Sequence, residues 1–448
     1  MKDKRVLVVG AARSGISTMK VLKHLGAEVT LNDIKTKEQV GDLYKELEAQ
    51  ADRLILGQHP QELKGYDLLV LSPGVPTDLP FINKARALGV EIIGELELAY
   101  QNCKGTFVGI TGTNGKTTTT SLVGEIFKAA NHKYAVVGNI GVPAISEALN
   151  ADAETTMVTE LSSFQLESIK NFRPSVATIL NLTPDHLNRH KTMAAYVDAK
   201  CRIFENQGSE DVLLLNYDNE ATRILADKAS SKVVFFSRKV CLDQGVFVED
   251  DSIVIIDGDQ RFFVGNVSDI FIPGPHNLEN VLAAVGLSYF SGIELGVIMD
   301  AVKHFKGVAH RVEFVDVVKN ITFYNDSKGT NPDATIQAVR AMNKPTILIA
   351  GGMDKGSDFN ELIQSFGPEI KNLVLLGETK DLIEETARKH GFNHIVKVEN
   401  MAQAVEKSFE LAQADYNVLL SPACASWDMY ESYEVRGDEF KALVRTYK

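Results

Sequence analysis

Short apolar runs return along this chain with a rhythm that neither an all-helical nor an all-β protein would show. From the N-terminus, "RVLVV", "EVTL", "RLIL", "DLLVL" and "EII" are separated by stretches of roughly 10 to 20 residues with helical spacing. A strand that is apolar at consecutive positions has no polar face to turn to water. Such runs alternating with helices therefore predict a parallel sheet covered on both faces by crossover helices. This first block ends near residue 94.

A second block, to about residue 308, opens on "VGITGTNGKTTTTSL" and continues through "TTMVTELSSFQLE", an apolar strand ending at Glu160. Next come "SVATILNLTPDHLNRH", a buried-type strand leading to Asp185 and His186, and "TMAAYVDAKCRIF", whose spacing is helical and which carries Lys200. The late segment "SIVIIDGDQRFFV" holds an Asp257-Gly258 turn signal and predicts an antiparallel hairpin, which makes this sheet mixed. In the third block "TILIA", "NLVLL", "HIVKV" and "NVLLS" alternate with helices such as "AVEKSFELA", the pattern of a second doubly wound sheet. The expectation is an α/β protein of three domains, 1–94, 95–308 and 309–448.

Composition narrows the class. At 448 residues, with 44% hydrophobic and 24% charged residues, the chain is ordinary globular protein with room for a core in each domain. The net charge of -12 argues against a nucleic-acid surface and leaves anionic nucleotides to local sites. Cys103, Cys201, Cys241 and Cys424 lie far apart with no CxxC pair, so no disulfide framework or zinc knuckle is expected. No run of 18 apolar residues occurs, and the start "MKDKR" leads directly into a strand. A soluble, cytoplasmic protein working on small molecules, as a monomer and without nucleic-acid or membrane partners, is the simplest reading.

The chemistry concentrates in "GITGTNGKTTTTSL". A strand that turns through glycines into a helix leaves backbone N–H groups unpaired and aimed at one spot, which suits a phosphate chain. Gly112, Thr113, Asn114, Gly115, Lys116, Thr117 and Thr118 form this candidate ATP loop, with Lys116 adding charge and Thr117 a hydroxyl for Mg²⁺. It is a variant, since Ile110 stands where the general pattern has its first glycine. An acid at the tip of a neighbouring strand, Glu160, is suitably placed to hold the same metal. Near the N-terminus "VVGAARSGIS" approaches a dinucleotide fingerprint, with Ala12 in place of the middle glycine and Asp33 ending the second strand. It is compatible with a dinucleotide, a related nucleotide, or a structural turn.

With "TELSSFQLES", "NLTPDHLNRH" and "YVDAKCRIF" in this order, the chain resembles the Mur ligase family, ATP-dependent ligases that form amide bonds. The motifs "LSPGV", "HR", "YNDSKGTNP", "GGMDKGSDF" and "LLSPACASWDMY" extend the resemblance over all three blocks. It implies a Rossmann-like first domain for a UDP-linked muramoyl substrate, a central phosphate-loop ATPase domain, and a Rossmann-like third domain for D-glutamate. It also implies peptidoglycan precursor synthesis and two Mg²⁺ ions, one held by Thr117 and Glu160, the other by His186 and a carbamylated Lys200. Lys116, His186 and Lys200 are then the catalytic set.

Seen alone, Lys200 would be a solvated helix lysine. Beside Mg²⁺, an ammonium at about 4 Å would meet on the order of 8 kcal/mol of repulsion at an effective dielectric near 20, so the amine there should be neutral. A neutral amine can take up CO₂ to give an anionic carbamate. By the same resemblance Asn277, Arg311 and Asp326 complete the ATP site. Arg13, Ser14, Asp33, Ser72, Gly74, Asn139 and Ser162 face the UDP substrate, and Thr330, Lys355, Ser426 and Tyr433 bind D-glutamate, with Lys328 added because it lies one turn from Thr330. Asn277 follows a Pro-Gly turn and would serve equally as a helix cap. Alternatives at this point are a ligase for another acceptor, such as a folylpolyglutamate-type enzyme, a non-catalytic nucleotide sensor, and a nicotinamide oxidoreductase.

Overall fold

A computed structural model describes residues 1–41, 43–354 and 356–448. The chain forms two compact units, one of Met1–Asp269 with Glu279–Lys303, the other of Ile270–Leu278 with His304–Lys448.

The first unit contains two sheets. Strands β1 (Arg5–Val9), β2 (Glu28–Asp33), β3 (Arg53–Leu56), β4 (Leu68–Leu71) and β5 (Glu91–Gly94) are all parallel, in the order β3-β2-β1-β4-β5. Their alternation feeds two cores. Val6, Val8, Leu68 and Val70 pack on one face, and Leu7, Val9, Leu69 and Leu71 on the other. Strand order reverses between β1 and β4, and in such sheets the crevice beyond those two carboxyl ends is where ligands bind. The turn after β1 needs glycine at position 15, where a β-carbon would overlap the Gly10 carbonyl oxygen. Ala12 has φ -89° and ψ -176°, an extended backbone open to any residue, so the missing middle glycine costs the turn nothing.

The second sheet has nine strands: β6 (Thr106–Thr111), β7 (Tyr134–Gly138), β8 (Thr156–Glu160), β9 (Val176–Ile179), β10 (Val212–Asn216), β11 (Lys232–Ser237), β12 (Gly245–Glu249), β13 (Ser252–Asp257) and β14 (Gln260–Asn266). They run in the order β14-β13-β12-β11-β10-β9-β6-β8-β7. β7 to β12 are parallel, and β13 and β14 form the antiparallel hairpin expected at Asp257-Gly258. The sheet is mixed, as the sequence predicts.

Between the two sheets lies the helix Glu95–Asn102, fastened by two buried carboxylates. Glu97 accepts N–H bonds from Lys170, Asn171 and Phe172. Glu95 Oε1 accepts the Ile145 N–H at 2.7 Å, while its Oε2 is buried without a hydrogen-bond partner. Burial pushes the Glu95 carboxyl up to about 7, against the lowering effect of the Ile145 and Ala144 amides. Because its folded value lies above the ordinary 4.5, its contribution to stability is full below about pH 4.5 and is lost as pH rises to about 7. Glu95→Gln is therefore expected to flatten thermal stability across that window, gaining on the parent protein at pH 8 relative to pH 5. Parallel melting curves at the two pH values would refute this.

The second unit carries β15 (Glu313–Val318), β16 (Ile321–Asn325), β17 (Thr346–Ala350), β18 (Ile370–Leu375), β19 (Ile395–Lys397) and β20 (Asn417–Leu420), in the order β15-β16-β20-β17-β18-β19. Ile347 and Ile349 face one core, Leu348 and Ala350 the other, so the sheet is wound on both sides. One feature differs from expectation: β15 runs antiparallel to β16. Its turn is Lys319-Asn320, both left-handed at φ 50° and 62°, and without a glycine the pair gave no turn signal in the sequence. Among the described residues no helix is long and apolar enough to cross a membrane, and all four cysteines are free.

Candidate active site

In the first unit β6 lies between β9 and β8, and its carboxyl end feeds the loop 112–115 into the helix Lys116–Ala129. Gly115 is the helix N-cap, with φ 85°, and a β-carbon there would overlap Asn280 Oδ1, so only glycine fits. No side chain caps this helix. Its first amides are open to an anion, and the helix dipole favours negative charge there. The loop is braced by a residue outside the predicted set: the Asn114 N–H donates to Asn181 Oδ1 at 2.8 Å, and the Thr113 N–H to the Asn181 carbonyl. Thr117 and Thr118 are nearly buried. Thr119 and Thr120 are wholly so, their hydroxyls without hydrogen-bond partners, in keeping with a packing role.

Two lysines converge on one carbonyl. Lys116 Nζ donates to the Gly112 and Thr113 carbonyls, each at 2.8 Å, and Lys200 Nζ donates to the Gly112 carbonyl at 2.8 Å and to Thr111 Oγ1 at 3.3 Å. Lys200 is only 2% exposed. Burial, reinforced by the Lys116 charge, holds its amine well below the usual lysine range, with Asp185 and Glu160 opposing more weakly. Beneath it lies Tyr196, whose ring centroid is 4.9 Å from Nζ and whose hydroxyl is 3.1 Å from Thr113 Oγ1. Burial drives that phenol up to about 12, so it stays neutral. Tyr196 was legible in "YVDAK", four residues before Lys200 and on the same helical face.

Glu160 ends β8 with its side chain buried. Oε1 accepts from Asn139 Nδ2 at 2.7 Å, whereas Oε2 is buried with no hydrogen-bond partner. A sheltered carboxylate oxygen lacking a donor is what a hard cation such as Mg²⁺ would satisfy. Among the described residues, no three or more His, Cys, Asp or Glu side chains form a ready metal cluster. His186 is about half exposed, 3.5 Å from Asp185, in a left-handed backbone with φ 53° before the short helix Leu187–His190.

Arg13, Ser14, Asp33, Ser72, Gly74 and Asn139 all line one cleft of about 650 Å³ outside β1 and β4. Ser162 is not among its lining residues. It N-caps the helix Ser163–Leu166 in a reciprocal capping box with Gln165, which does line the cleft. Asp33 is occupied locally: Oδ2 accepts the Ala11 N–H at 2.6 Å and Oδ1 the Lys35 N–H at 2.9 Å, so it shapes the turn. His59, unpredicted, lines the same cleft, stacked on Phe81 at 4.3 Å.

The second unit holds the other predicted residues. Asp326 is buried, accepting from the Val312 N–H and, at 2.6 Å, from Ser421 Oγ; burial raises its carboxyl to about 6. Arg311 Nε is buried without a hydrogen-bond partner. Asn277 Nδ2 donates to the Pro273 carbonyl, so it does brace the turn before its helix. Lys328 Nζ lies 5.8 Å from the Tyr433 ring centroid, and Ser426 is buried nearby in sequence to the loop at Cys424. Lys355 lies outside the described residues.

Arg436, which sequence reasoning missed, ties these loops together. Its guanidinium donates to Ser327 Oγ and the Ser327 carbonyl on one side, and to the Cys424 and Ala425 carbonyls on the other. The Lys328–Thr330 loop and the Ser426 loop are thereby joined across about 100 residues of sequence, a spacing no local motif reveals.

Comparison with known proteins identifies the family over all three blocks of the chain. Residues 4–94 match the family described as Mur ligase MurD-like, N-terminal domain; residues 110–288 match the Mur ligase middle domain; residues 310–424 match the Mur ligase, glutamate ligase domain. The UDP-N-acetylmuramoylalanine--D-glutamate ligase of Alkaliphilus oremlandii is 53% identical, covering 99% of this chain and 98% of its own. The enzyme of the same name from Clostridioides difficile is 52% identical with full coverage of both. Among solved structures, the Thermotoga maritima UDP-N-acetylmuramate-alanine ligase has the same fold, with TM-score 0.59 at 20% identity over 99% of this chain and 100% of its own. The class these matches define is an ATP-dependent ligase. The chain belongs to the Mur ligase family.

Proposed function

We propose that this enzyme joins D-glutamate to UDP-N-acetylmuramoyl-L-alanine at the expense of ATP, through an acyl phosphate, in cytoplasmic synthesis of a peptidoglycan precursor. The observation that carries the reading is the phosphate loop with Lys116 and the buried Lys200 on one carbonyl, beside the orphaned Glu160 oxygen. The relatives named for this reaction span the whole chain. The proposed division into working domains stays at 1–94, 95–308 and 309–448, and the working state is a monomer.

A carboxylate condenses poorly with an amine because hydroxide is a poor leaving group. If the substrate carboxylate attacks the γ-phosphorus, ADP departs and the acyl carbon acquires phosphate as its leaving group. The neutral amine of D-glutamate then attacks that carbon, phosphate leaves, and the nitrogen gives up a proton. The protein's work is positioning, neutralising phosphate charge and excluding water. Lys116, with the loop 112–115 and the open first amides of the helix Lys116–Ala129, would hold the β- and γ-phosphates, and Asn277, Arg311 and Asp326 the rest of the nucleotide. Arg13, Ser14, Ser72, Gly74, Asn139 and Ser162 would orient the UDP substrate, with Asp33 shaping their loop. Lys328, Thr330, Lys355, Ser426 and Tyr433 would receive D-glutamate, whose two carboxylates need cations and hydroxyls.

Thr117 and Glu160 would hold one Mg²⁺, His186 and a carbamylated Lys200 a second. When bound, the metal neutralises charge on the transferring phosphoryl group. Burial, with the Lys116 charge beside it, holds the Lys200 amine well below the usual lysine range before any metal is bound, which favours the neutral form that takes up CO₂. The deciding assay is phosphate release with ATP, Mg²⁺ and the UDP substrate, comparing D-glutamate with L-glutamate and L-lysine and weighing the product. Turnover with D-glutamate alone is expected; nucleotide binding without turnover for any of the three would favour a sensor.

A further inference from the structure

We propose that Arg189 is a positioning residue that ties the UDP-substrate cleft to the segment carrying His186, so that filling the cleft orders the His186 segment. This rests on the function proposed above only in naming the ligand of the cleft. The tie itself is geometric. Val75 lines the cleft, in a turn closed by its N–H bond to the Ser72 carbonyl. Its own carbonyl accepts from Arg189 Nη2 at 3.2 Å, across 114 positions of sequence. The same Nη2 is 2.6 Å from Glu167 Oε2, and the guanidinium carbon sits 5.1 Å from the Phe164 ring centroid. With side chains only 18% and 16% exposed, this ion pair is largely sheltered from solvent screening.

The contacts continue inward. Glu167 Oε1 lies 3.4 Å from His190 Nδ1, and His190 Nε2 is 2.9 Å from Ser163 Oγ. Phe164 stacks on His190 at 5.5 Å and lies 5.0 Å from the His186 ring. Tyr196 is 5.4 Å from His190, and its hydroxyl reaches Thr113 in the phosphate loop. The helix these groups hold, Leu187–His190, has four residues and is bracketed by His186 and Lys191, both left-handed at φ 53° and 69°. Two non-glycine residues in that region are individually disfavoured, and one helical turn cannot hold them by itself. Arg189 and His190 supply the hold, and Val75 makes the cleft a party to it. Arginine suits the post because one planar fork meets a carboxylate, a carbonyl and a ring face together; lysine cannot.

Spatial continuity alone does not establish coupling, so the test reads order and affinity separately. Amide hydrogen exchange on the full chain is compared with and without UDP-N-acetylmuramoyl-L-alanine, in the absence of ATP and Mg²⁺. In the parent protein the ligand should slow exchange of residues 186–192. In Arg189→Lys, at saturating ligand, most of that protection should be lost, while the affinity falls by about three- to tenfold, the range for one or two lost hydrogen bonds. Glu167→Gln, which keeps shape and removes the charge, should move both readouts the same way and guards against a misfolded first variant. Unchanged protection in both variants, or none in the parent at saturation, overturns the tie. If the parent binds no UDP-linked ligand at all, the proposed function fails and takes this inference with it, a result distinct from binding without protection.

Discussion

Lys116→Ala is expected to reduce D-glutamate-dependent phosphate release by on the order of 10³-fold, the scale for removing a charge that meets the transition state in a preorganised site. In the structure Nζ donates to the Gly112 and Thr113 carbonyls, each at 2.8 Å. Those are neutral partners three and four residues back, and a triphosphate would outcompete them by charge. The helix dipole and the open amides would remain in the variant, so nucleotide binding should weaken less than turnover. Lys116→Arg should not restore the rate, because the bulkier fork would have to enter a site already shared with Lys200. Near-normal turnover in Lys116→Ala would remove the phosphate-loop argument altogether.

Lys200→Ala should lose activity to a comparable degree, about 10³-fold, for a different reason. An amine whose hold on its proton is weakened by burial and by the Lys116 charge is poorer as a cation and better as a CO₂ acceptor than a solvated lysine. The discriminating experiment is chemical rescue. If the working group is a carbamate, acetate or formate should restore part of the lost turnover and small alkylamines should not. If the working group is an amine, the order reverses and the carbamate assignment is wrong. Intact mass of the parent protein under bicarbonate should also show the added CO₂, and depleting bicarbonate at mildly acidic pH should reversibly lower the rate.

Much of the architecture was legible because it rests on local regularities. Strands such as "DLLVL" and "TILIA" are apolar at consecutive positions, and their alternate side chains do enter two different cores. The Asp257-Gly258 hairpin announced itself by turn chemistry, whereas the Lys319-Asn320 hairpin used two left-handed non-glycine residues and left no such mark. At the site, the phosphate loop was readable from its glycines and Lys116, and Tyr196 could have been read from its spacing to Lys200. Arg436 and Arg189 could not. Arg436 donates to the Ser327 carbonyl 109 residues away and Arg189 to the Val75 carbonyl 114 residues away, and a backbone carbonyl carries no sequence signature.

The amino-acid sequence by itself determined the strand and helix order, the phosphate loop, the resemblance to one ligase family, and which residue types could serve phosphate, metal and carboxylate. These depend on periodicity, turn geometry and local spacing, all of which are written along the chain. Tertiary structure alone decided that Lys200 is buried against the Gly112 carbonyl beside Lys116, that Glu160 keeps one oxygen without a donor, and that Asp33 is spent on its own turn. Burial and hydrogen-bond supply depend on what the rest of the fold brings alongside, and they set whether a lysine is a cation and whether a carboxylate still has an oxygen to offer.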